Sequence, residues 1–322
     1  MKTKAILLGS LAIALVACNN DENTAISTDN GQALFSASIE GQNKTRAYDQ
    51  AWEVNDLIGI TGTTGDKTYT NVAYKTENAT GNFKAATIGT EIYYQDDNTV
   101  NFTAYYPWND LAAGTTAITA DTWVQSGASG QKSFDFLYAT GQGSKASPTV
   151  AFTFSHKMAK LALTIRKGTD VTFDEVKAVK LSLMGFNHKG TFNVADGRTA
   201  TEEDTEPEMW QFTKNTDDNA TYNAPFTVND NNQTVTYSLI LFPQEFTQSL
   251  PFSAELTDKQ TFSATLDFTA ANQDAGDAEP KNEWVAGRQY NMSVTLNKTS
   301  IMVDGCTITK WQEANGGNVD AD

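Results

Sequence analysis

The amino-acid sequence predicts an all-β protein on three observations. Short segments that alternate apolar and polar residues recur along the chain, and Gly, Asn, Asp and Thr separate them, as in antiparallel sheets joined by turns. No segment keeps the apolar period of a long amphipathic helix. The chain has 322 residues, of which 39% are hydrophobic, which is enough for two domains with real cores. We therefore expect antiparallel sandwiches or barrels.

The charge balance argues against two classes of partner. The 39 acidic residues outnumber the 23 basic residues and give a net charge of −16. Nucleic-acid binding needs a basic surface that neutralises phosphates, and docking on anionic lipid needs a basic patch, so neither is expected. Because the chain has only two cysteines, no disulfide framework holds the fold together.

Residues that carry enzyme chemistry are sparse. His156 and His188 are the only histidines, and neither has a Cys, Asp or Glu at metal-ligand spacing, so we expect no metal and no other cofactor. The sequence has no phosphate-binding Gly-rich loop and no Ser nucleophile in a strand–turn–helix setting. A glycosidase needs only two carboxylates, so residue counting leaves that class open. We expect a protein that is not an enzyme.

The amino terminus is typical of a lipoprotein signal peptide over residues 1–17. Two lysines precede an apolar segment at 5–17 that is too short to span a bilayer. The segment ends in Leu15-Val16-Ala17-Cys18, which resembles the bacterial lipobox, although an ordinary secretory signal with a chance cysteine is the alternative. We expect acylation of Cys18 with palmitate-type chains, which would fix the protein to a membrane. The polar residues 18–32 are expected to form a flexible tether.

The most informative stretch of the chain covers residues 33–60. Phe35, Ala37 and Ile39 alternate with polar residues, as in a half-buried strand. A polar hinge follows and places one Lys and one Arg in a neighbourhood that is otherwise poor in basic residues. Trp52 and an apolar strand then begin a core. This order predicts a strand that a trypsin-like protease could cut away.

The strand pattern continues through both halves of the chain. It predicts strands at Leu57–Ile60, Thr68–Tyr74, Gly81–Ala85, Glu91–Tyr94, Val100–Pro107, Val179–Leu183, Gly190–Val194, Thr234–Pro243, Phe252–Leu256 and Thr261–Phe268. Phe134–Ala139 re-enters the core, Val150–Ile165 has its apolar positions at Phe152, Phe154, Leu161, Leu163 and Ile165, and Trp284–Leu296 leads into a long strand. The final segment Ser300–Trp311 has a break at Gly305. Loops are expected over 112–130, 200–219 and 270–282. The segment 200–219 is strongly acidic but lacks the spacing of an EF-hand, so we expect a solvated loop there rather than a cation site. Thr172 could cap a helix before the strand at Val179.

A series of landmarks in this pattern resembles a known family. Thr45-Arg46-Ala47, Trp52, Asp56–Ile60, Val100–Pro107, Asp135–Ala139, Val150–Ile165 and Trp284–Leu296 occur in the order and spacing of the fimbrillin (Mfa-like, FimA-like) family of Bacteroidota, the subunits of type V pili. The resemblance covers nearly the whole mature chain, and no single motif in it is unique. It implies two tandem antiparallel β-sandwich domains of the transthyretin-like kind, at 47–150 and 151–322.

The resemblance also implies a maturation step. The chain would be exported as an outer membrane lipoprotein, and an Arg-specific or trypsin-like protease would cut it between Arg46 and Ala47 and so release it from the lipid. Lys44 lies two residues away, so the bond that is cut stays open. The removable segment 33–46 carries Phe35, Ala37 and Ile39, and its departure would leave unpaired backbone groups beside an apolar groove.

A strand of a neighbouring subunit would then fill the groove by donor-strand exchange. In fimbrillins this strand is the carboxy-terminal segment, which here carries Ile301, Val303, Ile308 and Trp311. The implied partners are other fimbrillin subunits in a homo- or hetero-polymer, and the implied location is a cell-surface fimbrium used for adhesion. Stalk, tip and anchor subunits share these landmarks, so the role within the pilus stays open.

Two alternatives to this maturation and assembly stay open. The chain could remain a monomeric surface lipoprotein that binds a glycan or a host protein through an apolar pocket with exposed Trp and Tyr side chains. Arg46 could be an ordinary loop residue. Cys306 is the only thiol left if Cys18 is acylated, and we expect it to be a small hydrophobe in a strand.

Overall fold

The structure is a computed structural model, and it describes residues 31–40, 52–78, 80–123, 125, 130–202, 210–213 and 224–311. The strands in these ranges are β1 (Leu34–Ile39), β2 (Leu57–Thr64), β3 (Lys67–Thr76), β4 (Asn82–Ala85), β5 (Val100–Tyr106), β6 (Ala117–Asp121), β7 (Leu137–Gly143), β8 (Thr149–His156), β9 (Ala159–Lys167), β10 (Lys180–Leu183), β11 (Lys189–Asn193), β12 (Thr199–Thr201), β13 (Trp210–Thr213), β14 (Phe226–Asn229), β15 (Thr234–Leu241), β16 (Gln244–Glu245), β17 (Leu250–Glu255), β18 (Thr261–Leu266), β19 (Glu283–Trp284), β20 (Arg288–Asn297) and β21 (Ser300–Lys310). The helices are α1 (Phe173–Ala178) and α2 (Thr269–Asp274), and one 3-10 turn covers Gln131–Ser133. The all-β fold class is confirmed.

A closed ring of hydrogen bonds organises the first half of the chain. Its seven strands follow each other in the order β1-β4-β3-β2-β5-β7-β8, and β1 closes the ring because it pairs with both β4 and β8. The β1–β8 pair is parallel, whereas β1 and β4 run antiparallel. Phe35, Ile58, Phe102 and Phe152 are among the apolar residues that fill the interior. Closure leaves this barrel without a free sheet edge as long as β1 is in place.

The segment Glu91–Tyr94 is not the strand that its alternation predicts. It makes only an isolated bridge between Gln32 and Tyr93, although Ile92 is fully buried. Two tyrosine hydroxyls accept the backbone N–H groups that a strand partner would otherwise take. The hydroxyl of Tyr74 accepts from the N–H of Ile92 at 2.9 Å, and that of Tyr69 accepts from the N–H of Tyr93 at 3.2 Å. Side-chain partners therefore replace the ladder on one side, while the backbone of Gly31 and Ala33 bonds Tyr94 and Ile92 on the other.

Two sheets pack face to face in the second half. One has the order β13-β10-β17-β18, and the other has the order β14-β15-β9-β20-β21. Alternating residues of both sheets, such as Leu163, Leu181, Tyr237 and Val294, share one buried core. This is a β-sandwich. Its central pair, β9 with β20, is parallel, so this sandwich is not purely antiparallel.

Both short helices lie in this second half. Thr172 caps α1 with a capping box, in which its hydroxyl accepts from the N–H of Glu175 and the Glu175 carboxylate accepts from the N–H of Thr172. The helix ends at Ala178, and β10 begins at Lys180, where the alternation of apolar and polar residues predicts a strand. The expected loop over 270–282 is wrong in its first part, because α2 occupies Thr269–Asp274 and buries Ala271.

The expected loop over 112–130 is also corrected. Its residues Ala117–Asp121 form β6, which pairs with β11 of the second half rather than with a neighbour in the barrel. Within β6 only Ile118 is buried, so the sequence carries little apolar signal. Further along, the buried side chain of Gln125 accepts from the N–H of Ile240 at 2.8 Å and donates to the carbonyl of Ile240 at 2.6 Å. This segment therefore ties the barrel to the sandwich.

The barrel ends later than the boundary expected at Val150. Strand β8 spans that position and reaches His156, and it belongs to the barrel through β1 and β7. A third core cluster lies between barrel and sandwich and includes Phe136, Met158, Phe192 and Trp311. The two halves therefore meet through packed side chains.

Candidate functional site

Strand β1 is held more firmly on one side than on the other. All six of its residues, from Leu34 to Ile39, pair with β8. On the opposite side only Phe35 and Ser36 pair with β4. The ladder to β4 stops there because β4 begins at Asn82, and the preceding Gly81 has a positive φ of 78°.

The face of β1 that the sequence predicts to be apolar points into the barrel. Phe35 is 3% exposed, and its ring contacts Tyr74 edge-on at 4.8 Å and Phe102 edge-on at 5.3 Å. It also stacks on Phe152 at 5.8 Å between ring centroids. Ile39 is buried, whereas Ala37 is half-buried. Loss of β1 would therefore open an aromatic-lined groove.

Beyond β4, two groups hold the backbone of Ala37. The N–H of Ala37 donates to the carbonyl of Gly81 at 2.7 Å, and the carbonyl of Ala37 accepts from the indole Nε1–H of Trp52 at 2.9 Å. The Trp52 ring is 3% exposed and packs edge-on against Phe83 and Phe154. The sequence predicts Trp52 in the core, but its hydrogen bond to Ala37 has no sequence signal, because no pattern shows where β4 ends.

Strand β21 forms the outer edge of the second sheet of the sandwich. Among the described strands it is hydrogen-bonded to β20 alone, over its whole length. Ile301, Val303 and Ile308 are half-buried against the core, and Met302 points outward with 55% exposure. The register shifts near Gly305, so the inward face passes from Val303 to Cys306.

Trp311 lies just beyond β21 and is the best-buried residue of this end. It is 2% exposed and stacks on His156 with 4.2 Å between ring centroids, inside the junction between barrel and sandwich. Its backbone N–H donates to the carbonyl of Gly287 at 2.8 Å. Trp311 is therefore separated from the face that carries Ile301, Val303 and Ile308. The structure brings the ends of β1 and β21 together, because Lys310 lies 3.6 Å from Glu40.

The comparisons with known proteins agree on one family. A model of the fimbrillin-like family matches residues 45–311. The chain belongs to the fimbrillin-like family. Across 330 aligned residues, which cover 98% of both chains, it is 31% identical to the proposed fimbrium subunit Fim1C of Bacteroides uniformis. This family consists of structural fimbrial and adhesion subunits and is not an enzyme family.

Solved structures share the fold of this fimbrillin. One is a proposed cell adhesion protein of Bacteroides uniformis, which is 26% identical with a TM-score of 0.64 over 88% of this chain and 100% of the other. Another, from Bacteroides ovatus, is 21% identical with a TM-score of 0.67 over 88% of this chain and 99% of the other. At 21% identity, the similarity to the Bacteroides ovatus protein shows only that the two share a fold.

Both histidines of the fimbrillin have aspartate partners that sequence spacing does not show. The Nδ1 atom of buried His156 lies 2.6 Å from Asp135, and the Nδ1 atom of buried His188 lies 2.7 Å from Asp121. Each pair joins residues that are distant in sequence. Within the described ranges, no group of three or more His, Cys, Asp and Glu side chains could hold a metal ion.

The single thiol of β21 is shielded from solvent. Burial raises the pKa of the Cys306 thiol to about 12. Since the thiolate is the nucleophile, the protonated form is unreactive at neutral pH. Burial also raises the pKa of the Tyr74 hydroxyl, which keeps it protonated while it accepts from Ile92.

Several residues that the sequence analysis singles out lie outside the described residues. They are Cys18, Lys44, Arg46 and Ala47, together with the signal peptide and most of the tether. In the described part of the chain, no helix is long and apolar enough to cross a membrane.

Proposed function

We propose that this fimbrillin is a pilus subunit that is exported as a lipoprotein, cut after Arg46 and polymerised by donor-strand exchange for surface adhesion. The observation that carries the proposal is the position of β1. It fills the place that closes the barrel, and the hinge with Lys44 and Arg46 follows it directly in the sequence. A single cut in this hinge separates β1 from the rest of the barrel, whose next described residue is Trp52.

The groove that β1 occupies supports an acceptor role. Without β1, the rings around Phe35 and the backbone groups of β8 would face water. Burial of a large apolar side chain contributes roughly 1.5–3 kcal/mol, and every unpaired buried backbone group adds a cost. An empty groove is therefore unstable, and another strand with alternating apolar residues would fill it.

Strand β21 has the properties of a donor. It lies at a sheet edge with one hydrogen-bonded neighbour in the described part of the chain, and it presents Ile301, Val303 and Ile308 on its inward face. An edge strand can leave with fewer broken contacts than a central strand. Its departure also requires the withdrawal of Trp311 from the junction.

Export and location follow from the amino terminus. Acylation of Cys18 would hold the precursor at the outer membrane, and an Arg-specific or trypsin-like protease would release it when it cuts at Arg46. The partners would then be further fimbrillin subunits in a cell-surface fimbrium. The named relative, a proposed fimbrium subunit, supports this location.

Limited trypsin digestion of the non-lipidated chain tests the proposal. We expect one early cut after Arg46, located by intact mass, followed by filaments in electron micrographs and SDS-resistant ladders. A cut chain that stays monomeric and keeps its amino-terminal peptide would instead indicate a non-polymerising surface lipoprotein.

A variant with both Lys44→Ala and Arg46→Ala is the matched control. It should keep the fold, because both residues precede Trp52 in the hinge. It should also resist the early cut and remain monomeric. Filaments from this uncut variant would contradict the cleavage mechanism.

A further inference from the structure

The carbonyl of Gly81 and the indole N–H of Trp52 stand side by side at the point where the β4 ladder ends. Together they bond the N–H and the carbonyl of one residue, Ala37, at 2.7 and 2.9 Å. Trp52 comes after the hinge in sequence, so it stays with the barrel when a cut removes β1. The same pair of groups then faces whichever strand next enters the groove.

We propose that Trp52 and Gly81 are positioning residues that set the register and the direction of the strand in this groove, first the chain's own β1 and then the strand of a second subunit. The second half of this inference rests on the proposed function. The first half, which concerns β1, stands without it.

The register follows from the closeness of the two groups. A Cβ atom at Gly81 would lie 2.1 Å from the carbonyl oxygen of Ala37, so the backbones approach as closely as a glycine allows. The ring of Trp52 is fixed by edge-on contacts with Phe83, Tyr106 and Phe154 at 5.1 to 5.5 Å. A rigid donor beside a rigid acceptor admits only a residue whose N–H and carbonyl both face this side of the groove, so it excludes a slip of the strand by one residue, which would also turn the apolar side chains out of the barrel.

The direction follows from the order of acceptor and donor. Along β1, the acceptor at Gly81 meets the N–H of Ala37 and the donor at Trp52 meets the carbonyl of the same residue. A strand that ran the opposite way would have to offer an N–H and a carbonyl from two different residues at a wider spacing. The occupant should therefore run in the direction of β1, parallel to β8.

The test uses the full non-lipidated chain after a cut in the hinge, with β1 still bound. A fluorescent peptide of residues 31–40 is added in excess, and its entry reports the release of β1. Trp52→Phe keeps an aromatic ring and removes the N–H, so release should become about fivefold faster, as expected for one lost hydrogen bond. Trp108→Phe is the matched control, because its indole N–H donates to the carbonyl of Asn71 instead, and it should leave the release rate unchanged.

A second measurement is made on the wild-type chain, and the variant serves only to assign a signal. The indole N–H of Trp52 should exchange with solvent only as fast as β1 is released, which ¹⁵N-tryptophan spectra can follow, with the Trp52 signal identified by its loss in Trp52→Phe. Exchange that is much faster than release would overturn the role of this hydrogen bond.

The direction is tested with a peptide that has the sequence of residues 31–40 in reverse order. It keeps the composition and the alternation of Phe35, Ala37 and Ile39. We expect the forward peptide to enter and the reversed peptide to stay out. Equal entry of both peptides would overturn the inferred direction, and equal release rates of β1 from Trp52→Phe and wild type would overturn the inferred role of Trp52.

These outcomes separate the inference from the proposed function. If the wild type forms filaments and Trp52→Phe forms them equally fast, the inference fails and the function stands. If the cut wild type forms no filaments but β1 leaves faster from Trp52→Phe, the function fails and the role of Trp52 toward β1 stands. If trypsin does not cut the hinge, a site for a specific protease placed within residues 41–46 supplies the cut complex.

Discussion

The two strands at the ends of the described chain differ in how they are held. Strand β1 is short, lies between β4 and β8, and buries Phe35 and Ile39 in the barrel. Strand β21 is longer, pairs with β20 alone among the described strands, and exposes every second side chain. Its best-buried residue, Trp311, lies beyond the strand itself.

This difference shows two ways to hold a strand. The stability of β1 comes from side chains along its length, so it should leave only when the covalent link is cut and another strand replaces it. The stability of β21 depends on hydrogen bonds at a sheet edge, on half-buried side chains such as Ile301 and Ile308, and on one ring beyond its end. Such an edge strand can open while the other strands of its sheet stay paired, although its departure uncovers the part of the core that those side chains cover.

The largest expected effect comes from the β1 side of this comparison. Phe35→Ala should lower the free energy of unfolding of the uncut chain by about 4 kcal/mol, because it removes a fully packed ring from the barrel. Ile308→Ala on β21 should cost about 1 kcal/mol, since its side chain is only half-buried. Urea titration of both variants measures this. Equal costs would show that the two strands do not differ.

The next effect concerns the end of β21. Trp311→Ala should weaken the closure of β21 by about 3 kcal/mol, because the indole packs against His156 in the junction. Amide exchange should become faster along β21 and stay unchanged in β1. Trp311→Phe keeps a stacked ring and serves as the control, with an intermediate effect. Unchanged exchange in Trp311→Ala would mean that Trp311 does not hold the strand.

A smaller effect is expected in the chemistry of Cys306. With a pKa of about 12, this thiol stays protonated at pH 8.5, where an ordinary thiol is about half ionised. Alkylation of Cys306 by iodoacetamide, followed by the mass of the peptide that carries it, should therefore be slow in the closed strand and should become faster as the pH rises. It should be faster in Trp311→Ala, where β21 opens more often. A rate at pH 8.5 equal to that of the urea-unfolded chain would contradict a closed β21.

Local patterns in the sequence were enough to predict most strands, because alternation and turn residues record which face is buried. The strands around Phe102, Leu181 and Tyr290 are confirmed on this basis. The capping box at Thr172 was visible for the same reason, since both of its partners lie within one turn.

The sequence could not show contacts between distant segments. Strand β6 is not predictable from local pattern, because its partner, β11, lies far along the chain and only Ile118 of the strand is buried. The segment around Ile92 has the alternation of a strand but forms only an isolated bridge, because two tyrosine hydroxyls take backbone N–H groups that a second strand would otherwise bond. Trp52 could be placed in a core, but its hydrogen bond to Ala37 depends on where β4 ends in space.

The smallest expected effect concerns an ion pair that joins the ends of the two strands. Glu40 and Lys310 lie 3.6 Å apart at the ends of β1 and β21, and both side chains are more than half exposed. Exposed pairs contribute little because solvent and salt screen them, so Glu40→Gln should change the free energy of unfolding by about 0.5 kcal/mol or less. Glu77→Gln, which breaks the similarly exposed pair with Lys84, is the control.

Urea titration at low and high salt separates the possible results of this last experiment. If Glu40→Gln acts like Glu77→Gln and its effect vanishes in salt, the two strands are held independently, each by its own packing. A loss several times larger for Glu40→Gln, together with faster amide exchange in β21, would mean that β1 holds β21 closed. In that case cutting the hinge and removing β1 would also make β21 open more often. The two strands would then be energetically coupled rather than independent.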